Sequence, residues 1–340
     1  MRHHNENSAS EPGLKRGYSR VAIIGWVSLL LASLTASSIF ATQDSKAEQP
    51  DGSVRVSMRN VRYRFMESVS VQINYLIGSV VPLGDHAMPV IEDKNSYKIH
   101  IDSAEIAISP QDLASLLNQF VFARPGSPLS DISVRVLPNA HLSVKGHLKD
   151  KGDIPFETEG ALVPLPDGKL RLRAEKMKAL KIPVKGLMDA FGIEVDNLIK
   201  SGQVPGVATD GNDLIFDLEQ MLPAPRIEGK VTKVRVESNT IVQTISSDSS
   251  KDAKALPKSP GNFMAVQGNS VQYEKVTMRD CDIVVLDMDP RDPLDFFLDR
   301  LKEQLAAGYT KITPNFQLRI YIKDYGKLPS KPASTANAKK

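Results

Sequence analysis

The chain has 340 residues, 24% of them charged and 41% hydrophobic, with a formal net charge of +3. That balance suits one or two globular domains with a substantial core and gives no electrostatic footprint for nucleic acid. A single cysteine, Cys281, excludes an intramolecular disulfide and a cysteine zinc site, and the six histidines show no HExxH or paired spacing, so no metal or other cofactor is expected.

Residues 1–20 are polar, and Lys15, Arg16 and Arg20 lead into Val21–Gln43, twenty-three residues without a charge. As a helix such a stretch spans roughly 35 Å, enough for a hydrocarbon core of about 30 Å. The small residues Ala36, Ser37 and Ser38 suit a cleavable signal peptide equally well. Either reading leaves the basic flank in the cytoplasm and exports the chain beyond about residue 44. The expected location is the cell envelope, as a periplasm-facing inner-membrane anchor or as a protein released to the periplasm. No cysteine closes the apolar run, which excludes a bacterial lipoprotein.

From residue 53 the chain reads as strands. Val54, Val56 and Met58 alternate with polar neighbours, the phase slips at Asn60, and Val61, Tyr63 and Phe65 continue it. Val69, Val71, Ile73, Tyr75 and Ile77 form the cleanest period-two run, and Tyr97, Ile99 and Ile101 another. Ile106 and Ile108 then lead to Ser109-Pro110, an N-cap and a first-turn proline, with Asp112 placed for the helix dipole. Leu113, Leu116, Leu117, Phe120 and Val121 come next at helical spacing on one face.

Strands continue through Ile132–Val136, Leu142–Leu148 and Ile154–Leu162, and Pro166-Asp167-Gly168 predicts a hairpin into Leu170–Ala174. That last strand and its extension carry Lys169, Arg171, Arg173, Lys176 and Lys178. A second amphipathic helix is expected from Pro183, with Val184, Leu187, Met188 and Phe191 on one face, before strands at Leu214–Leu218 and Ile227–Val242. Residues 246–260 are low in complexity and read as a flexible loop. Val271–Met278 and Ile283–Leu286 resume the strands. A third helix is expected after Asp292-Pro293 with Leu294, Phe297, Leu298, Leu301 and Leu305 on one face. Phe316, Leu318, Ile320 and Ile322 close as a strand, and the tail from Lys327 reads as disordered.

Asp287, Asp289, Asp292 and Asp295 form the densest carboxylate group. It suits a hard cation in residue type, but it lacks the glycine and closing glutamate of an EF-hand, and Asp292 and Asp295 fit the cap and first turn of the third helix. Ser109 lies in no GxSxG, and Cys281 sits among strand residues, so neither is expected to act as a nucleophile.

The strand–helix unit AEIAISPQDLASLLN, the segment LRLRAEKMKALKIPVKGLMDAFG and the sequence GNDLIFDLEQMLPAPRIEGKVTKVRVE resemble the LmeA-like phospholipid-binding proteins of bacterial envelopes. The resemblance implies an α+β fold of the tubular lipid-binding (TULIP) kind: an elongated, strongly curved antiparallel sheet wrapped around amphipathic helices. It also implies a non-catalytic protein that binds a phospholipid or similar amphiphile in an apolar groove.

The helix faces read first as core and the basic run as a solvated strand face; if the sheet leaves a groove, amphipathicity places acyl chains against Leu113, Leu116, Leu117, Phe120, Leu187, Met188 and Phe191. An anionic headgroup is expected at Lys169, Arg171, Arg173, Lys176 and Lys178. The expected division is a basic N-terminus (1–20), an anchor or signal (21–43), a lipid-binding domain (53–245), the loop (246–260), a C-terminal extension of the same domain (261–326) and the tail (327–340). The alternatives are a non-catalytic envelope assembly protein and a metal-dependent hydrolase using the aspartate group.

Overall fold

The computed structural model describes residues 52–149, 153–179, 182–183, 204–247, 256 and 261–329. The uncharged stretch 21–43, the helix expected through Leu187, Met188 and Phe191, most of the loop 246–260 and the tail from residue 330 lie outside them.

In chain order the described elements begin with β1 (Val54–Met66), β2 (Val69–Pro82) and β3 (Tyr97–Ile108). Helix α1 (Pro110–Leu116) comes next and runs into a π-helical turn at Leu117–Val121. Beyond it lie β4 (Leu129–Leu137), β5 (His141–Leu148), β6 (Ile154–Pro164), β7 (Leu170–Ala179), β8 (Ile182–Pro183), β9 (Val207–Asp210) and β10 (Asp213–Phe216). After α2 (Leu218–Met221) come β11 (Arg226–Glu228), β12 (Lys230–Glu237), β13 (Thr240–Ser246), β14 (Phe263–Tyr273), β15 (Val276–Asp287) and β16 (Leu294–Phe297). A 3₁₀ turn (Leu298–Arg300), α3 (Leu301–Ala306), β17 (Tyr309–Ile312), β18 (Leu318–Ile322) and a 3₁₀ turn (Tyr325–Lys327) complete the order.

These strands form two separate sheets. The larger runs β12-β13-β3-β2-β1-β14-β15-β18-β17, with β11 beside β3 and β16 beside β1. The smaller runs β4-β5-β6-β7-β10-β9, with β8 beside β7. Most pairs are antiparallel, while β16 on β1, β11 on β3 and β18 on β15 are parallel. One continuous core joins the sheets: Met58, Ile73 and Ile101 from the larger and Leu142, Leu162 and Leu172 from the smaller are all buried, with Leu116 and Leu117 beside them. Each such side chain contributes about 1.5–3 kcal/mol on burial.

This architecture corrects the expected one. The main sheet is mixed, both sheets are open, with β12 and β17 at the ends of one and β4 and β9 at the ends of the other, and neither curls around a helix. The helix expected to fill a curved sheet is short, seven α-helical residues and then five in the π turn. Among the described residues no helix is long and apolar enough to cross a membrane. Strand alternation is compatible with a wrapped sheet or with two stacked ones, because both bury one face.

Other local corrections have clear causes. Leu294–Phe297 is a strand rather than the start of a helix, since all four residues are buried and pair in parallel with Val61–Arg64. Tertiary pairing there overrides the helical spacing of the apolar residues. The phase slip at Asn60 is no break: β1 passes through it at φ +52°, pairing with β14 before it and β16 after it. Asparagine tolerates that conformation better than most residues. The expected long strand Ile227–Val242 turns back at Ser238-Asn239, both at positive φ, to make the β12–β13 hairpin. The Pro166-Asp167-Gly168 hairpin forms as expected, with Gly168 at φ +88° and its N–H donating to the Leu165 carbonyl at 2.9 Å.

Ser109 caps α1: its Oγ accepts the Asp112 N–H at 3.0 Å and donates to an Asp112 carboxylate oxygen. Past α1, Phe122 donates its N–H to the Leu117 carbonyl, the i to i+5 spacing of a π turn. The extra residue rotates the face, so Val121 and Phe122 point inward and Phe120 is left 39% exposed.

Candidate functional site

Of the residues expected to hold acyl chains, Leu187, Met188 and Phe191 lie outside the described residues, and the other four belong to the core or the surface. Leu116 and Leu117 are buried, Leu113 packs against the same core, and Phe120 is exposed. The space left between the sheets, bordered by Leu113, Leu116, Leu142, Leu162 and Phe216, is an apolar cavity of about 150 Å³. A cavity of that size takes a molecule such as benzene, far less than a pair of acyl chains. With open sheets and no groove, the expectation of amphiphile binding is overturned.

The basic run fares similarly in its surroundings. Lys169 pairs with Asp167 at 3.2 Å, Arg171 with Asp210 at 2.7 Å and Asp213 at 3.3 Å, and Lys176 with Glu159 at 3.3 Å. Arg173 and Lys178 are exposed. The five do not stand as one uncompensated patch.

The structure gathers chemistry at the aspartates instead. Asp287 ends β15, Asp289 and Asp292 occupy the loop after it, and Asp295 lies in β16. The turn after β18 brings Asp324 and Lys327 onto them. Carboxylate oxygens of Asp287, Asp292 and Asp324 lie within 4.8 Å of one another, a spacing that suits a hard cation.

Part of the negative charge there is met from within the chain. Lys327 Nζ lies 2.8 Å from Asp324 Oδ2, 3.0 Å from Asp289 Oδ2 and 3.1 Å from Asp292 Oδ1. Asp287 accepts the Asp289 N–H at 2.7 Å and Asn262 Nδ2 at 3.0 Å. Asn262 also donates to the Asp292 carbonyl and accepts from Asn60 Nδ2 at 2.7 Å. Asp324 Oδ1 accepts the Asp295 N–H at 2.8 Å. A lysine ammonium thus takes the electrostatic place of a cation, and the group fits a structural knot better than a metal centre.

Two roles expected from sequence change accordingly. Asp292 accepts from Lys327 rather than capping a helix, and Asp295 binds Arg64 in a bidentate pair at 2.6 and 2.9 Å. Asp324 and Lys327 had no sequence signal linking them to the run, and Lys327 belongs to the knot rather than to a disordered tail.

The knot sets opposing pH dependences. Arg291 and Lys327 hold the Asp289 carboxyl well below the usual carboxylate range, while burial pushes the Asp287 carboxyl up. Asp289 therefore contributes stability above its unfolded pKa of about 4, lost as pH falls through its folded value. Asp287 has the opposite sign: its contribution is present below its unfolded pKa and is lost as pH rises through its raised folded value. Thermal melts between about pH 6 and pH 3 should show the Asp289→Asn variant losing less of its melting temperature on acidification than the wild type. A steeper loss in the variant would contradict the pairing.

The second candidate is the open end of the larger sheet. All four residues of β17 are exposed, and among the described residues only β18 pairs with it. Thr313 N–H donates to the Gln317 carbonyl at 3.0 Å at the head of the β17–β18 hairpin. Continuing the antiparallel alternation from that pair, Lys311 and Tyr309 bond inward to β18, and Thr310 and Ile312 turn their N–H and C=O groups to the open edge.

Ile312 is 72% exposed, and Phe316 is 88% exposed at φ +60°. Phe316 thus sits in the turn rather than in the strand expected for it. A sequence signal for the hairpin was present: Gly308 and Thr313-Pro314-Asn315 bracket a short run containing Thr310 and Ile312.

No family model, curated protein or solved structure matches the chain. The likeness to LmeA-like proteins rests on the three sequence segments alone.

Proposed function

We propose that this chain is a non-catalytic assembly protein that accepts an extended strand of another protein on the open edge of β17. The observation that carries this reading is the edge itself: a short strand with every residue exposed, ending in Ile312 and followed in the turn by Phe316, large apolar side chains left in water. Native edges are ordinarily covered, twisted away or loaded with charge, because free N–H and C=O groups recruit other strands. An aromatic residue held at positive φ with its ring exposed costs about 1–2 kcal/mol in backbone conformation. Such strain is kept where it serves binding.

The aspartate knot has its place in this reading as an anchor. It ties the turn after β18 to β1 and β16, so the strand supporting the edge is fixed to the body of the sheet. Added strands gain affinity from main-chain hydrogen bonds and specificity from alternate side chains.

The test is selection of displayed eight-residue random peptides against the full-length chain, followed by amide exchange. Selected peptides should slow exchange at Thr310 and Ile312 and lose binding to a Thr310→Pro variant. That proline removes an outward N–H and leaves the bonds to β18 intact, so the variant should melt as the wild type does. Selected peptides that protect other segments, or that bind Thr310→Pro unchanged, would overturn the reading.

A further inference from the structure

Resting on the reading of β17 as a docking edge, we infer that the strand it accepts is acidic, with carboxylates alternating with apolar side chains. The pairing of Tyr309 with Tyr321 and Lys311 with Arg319 places these four side chains on one face of the β17–β18 ribbon. The two tyrosine rings stack at 4.6 Å between centroids, and Lys311 Nζ stands 5.3 Å from one ring and 5.7 Å from the other. This contact holds the ammonium over the ribbon rather than letting it range through solvent. Arg319 is oriented too, with Nε donating to Gln317 Oε1 at 2.9 Å.

Among the described residues neither cation has a carboxylate within ion-pairing distance, whereas Lys169, Arg171, Lys176 and Lys327 all do. Two oriented cations without a carboxylate partner among the described residues therefore border a strand edge that no other described strand pairs with. A strand added beside β17 puts every second side chain on that face, where a carboxylate meets Lys311 directly or diagonally. Its alternate side chains fall on the other face, beside Ile312, where an apolar group removes exposed surface from water.

The same arrangement disfavours a second copy of this chain as the occupant. Edge-to-edge antiparallel pairing that keeps the core faces on one side sets the two Lys311 side chains against or diagonal to each other, and like charges across strands are destabilising.

The experiment compares two octapeptides, one alternating glutamate with valine and one alternating lysine with valine, by titration against the full-length chain with amide exchange at Thr310. The glutamate peptide should bind about tenfold tighter or better, a difference of about 1.4 kcal/mol. Its affinity should fall as sodium chloride is raised, because the pairs lie at the surface. Lys311→Glu should invert the preference, and Lys311→Met should remove it without changing the fold.

Equal affinities with Thr310 protected in both would overturn the acidic partner and leave the docking edge standing. No protection of Thr310 by either of these peptides or by selected ones would overturn the docking edge itself. Self-association in sedimentation that is abolished by Ile312→Asp would also overturn the inference, by naming a second copy as the occupant.

Discussion

Replacing Gln304 with alanine is expected to destabilise the protein by about 4 kcal/mol, read as a shift in denaturant midpoint at constant slope. Gln304 is fully buried, an unusual position for a glutamine, and each of its polar atoms is used. Nε2 donates to the carbonyls of Asp295 at 2.8 Å and Lys323 at 2.9 Å, and Oε1 accepts the Phe297 N–H at 2.9 Å. One side chain on α3 thus serves backbone groups of β16 and of the segment after β18. Truncation strands three backbone groups, two of them buried and the Lys323 carbonyl partly so, at about 1–3 kcal/mol each, partly relieved by water entering the space left behind. Gln304→Met separates the causes. It keeps the volume and loses the hydrogen bonds, so it should cost nearly as much as alanine. A methionine variant within about 1 kcal/mol of the wild type would show that packing, rather than hydrogen bonding, holds this junction.

Gln304 also marks where sequence reading stops. Period-two runs located the strands around Val56, Ile73, Val134 and Leu172 because each buries one face, and burial of one face leaves its trace in the chain itself. Ser109-Pro110 and Asp167-Gly168 were legible for the same reason, since caps and tight turns are local chemistry. Which strands become neighbours could not be read. β1 pairs with β14 and then with β16, partners more than two hundred residues away, and only those contacts turn Leu294–Phe297 from helix to strand. The same ambiguity allowed one curved sheet where two open ones form.

The aspartates were visible as a group, but Lys327, the residue that decides their character, stands 35 residues beyond Asp292 with no pattern joining them. The extra residue in the π turn, which sends Phe120 outward, has no signature in composition either. The β17 edge has a signal in its turn residues, but Phe316 continues the alternation of Leu318 and Ile320 in the sequence and so masks the turn.

The ion pair between Arg64 and Asp295 gives the second large effect, and its sign depends on which partner is removed. Arg64 Nε and Nη2 lie 2.6 and 2.9 Å from the two carboxylate oxygens, in the bidentate geometry that makes such pairs strong. Asp295 is 6% exposed, and among the described residues its carboxylate accepts one further hydrogen bond, from Gly326 N–H at 3.2 Å. Arg64→Met therefore leaves a buried carboxylate nearly alone, and a loss of about 3 kcal/mol is expected. Arg64 also lies over the Tyr325 ring, 5.2 Å from its centroid, so the variant should loosen the turn that carries Lys327 and speed amide exchange at Gly326.

Removing both charges is a different experiment. The double variant Arg64→Met, Asp295→Leu exchanges the pair for apolar volume, and it should recover at least half of the loss seen in the single variant. The double-mutant cycle should give a coupling of about 2 kcal/mol or more. A cost below about 1 kcal/mol for Arg64→Met would place the pair with exposed surface bridges. The segment after β18 would then be held chiefly by Gln304, Lys327 and the bond from Asp295 N–H to Asp324. If the coupling is large, the anchoring of that segment and the presentation of the β17 edge belong to one mechanical unit. Peptide affinity at Thr310 should then weaken in Arg64→Met and return in the double variant.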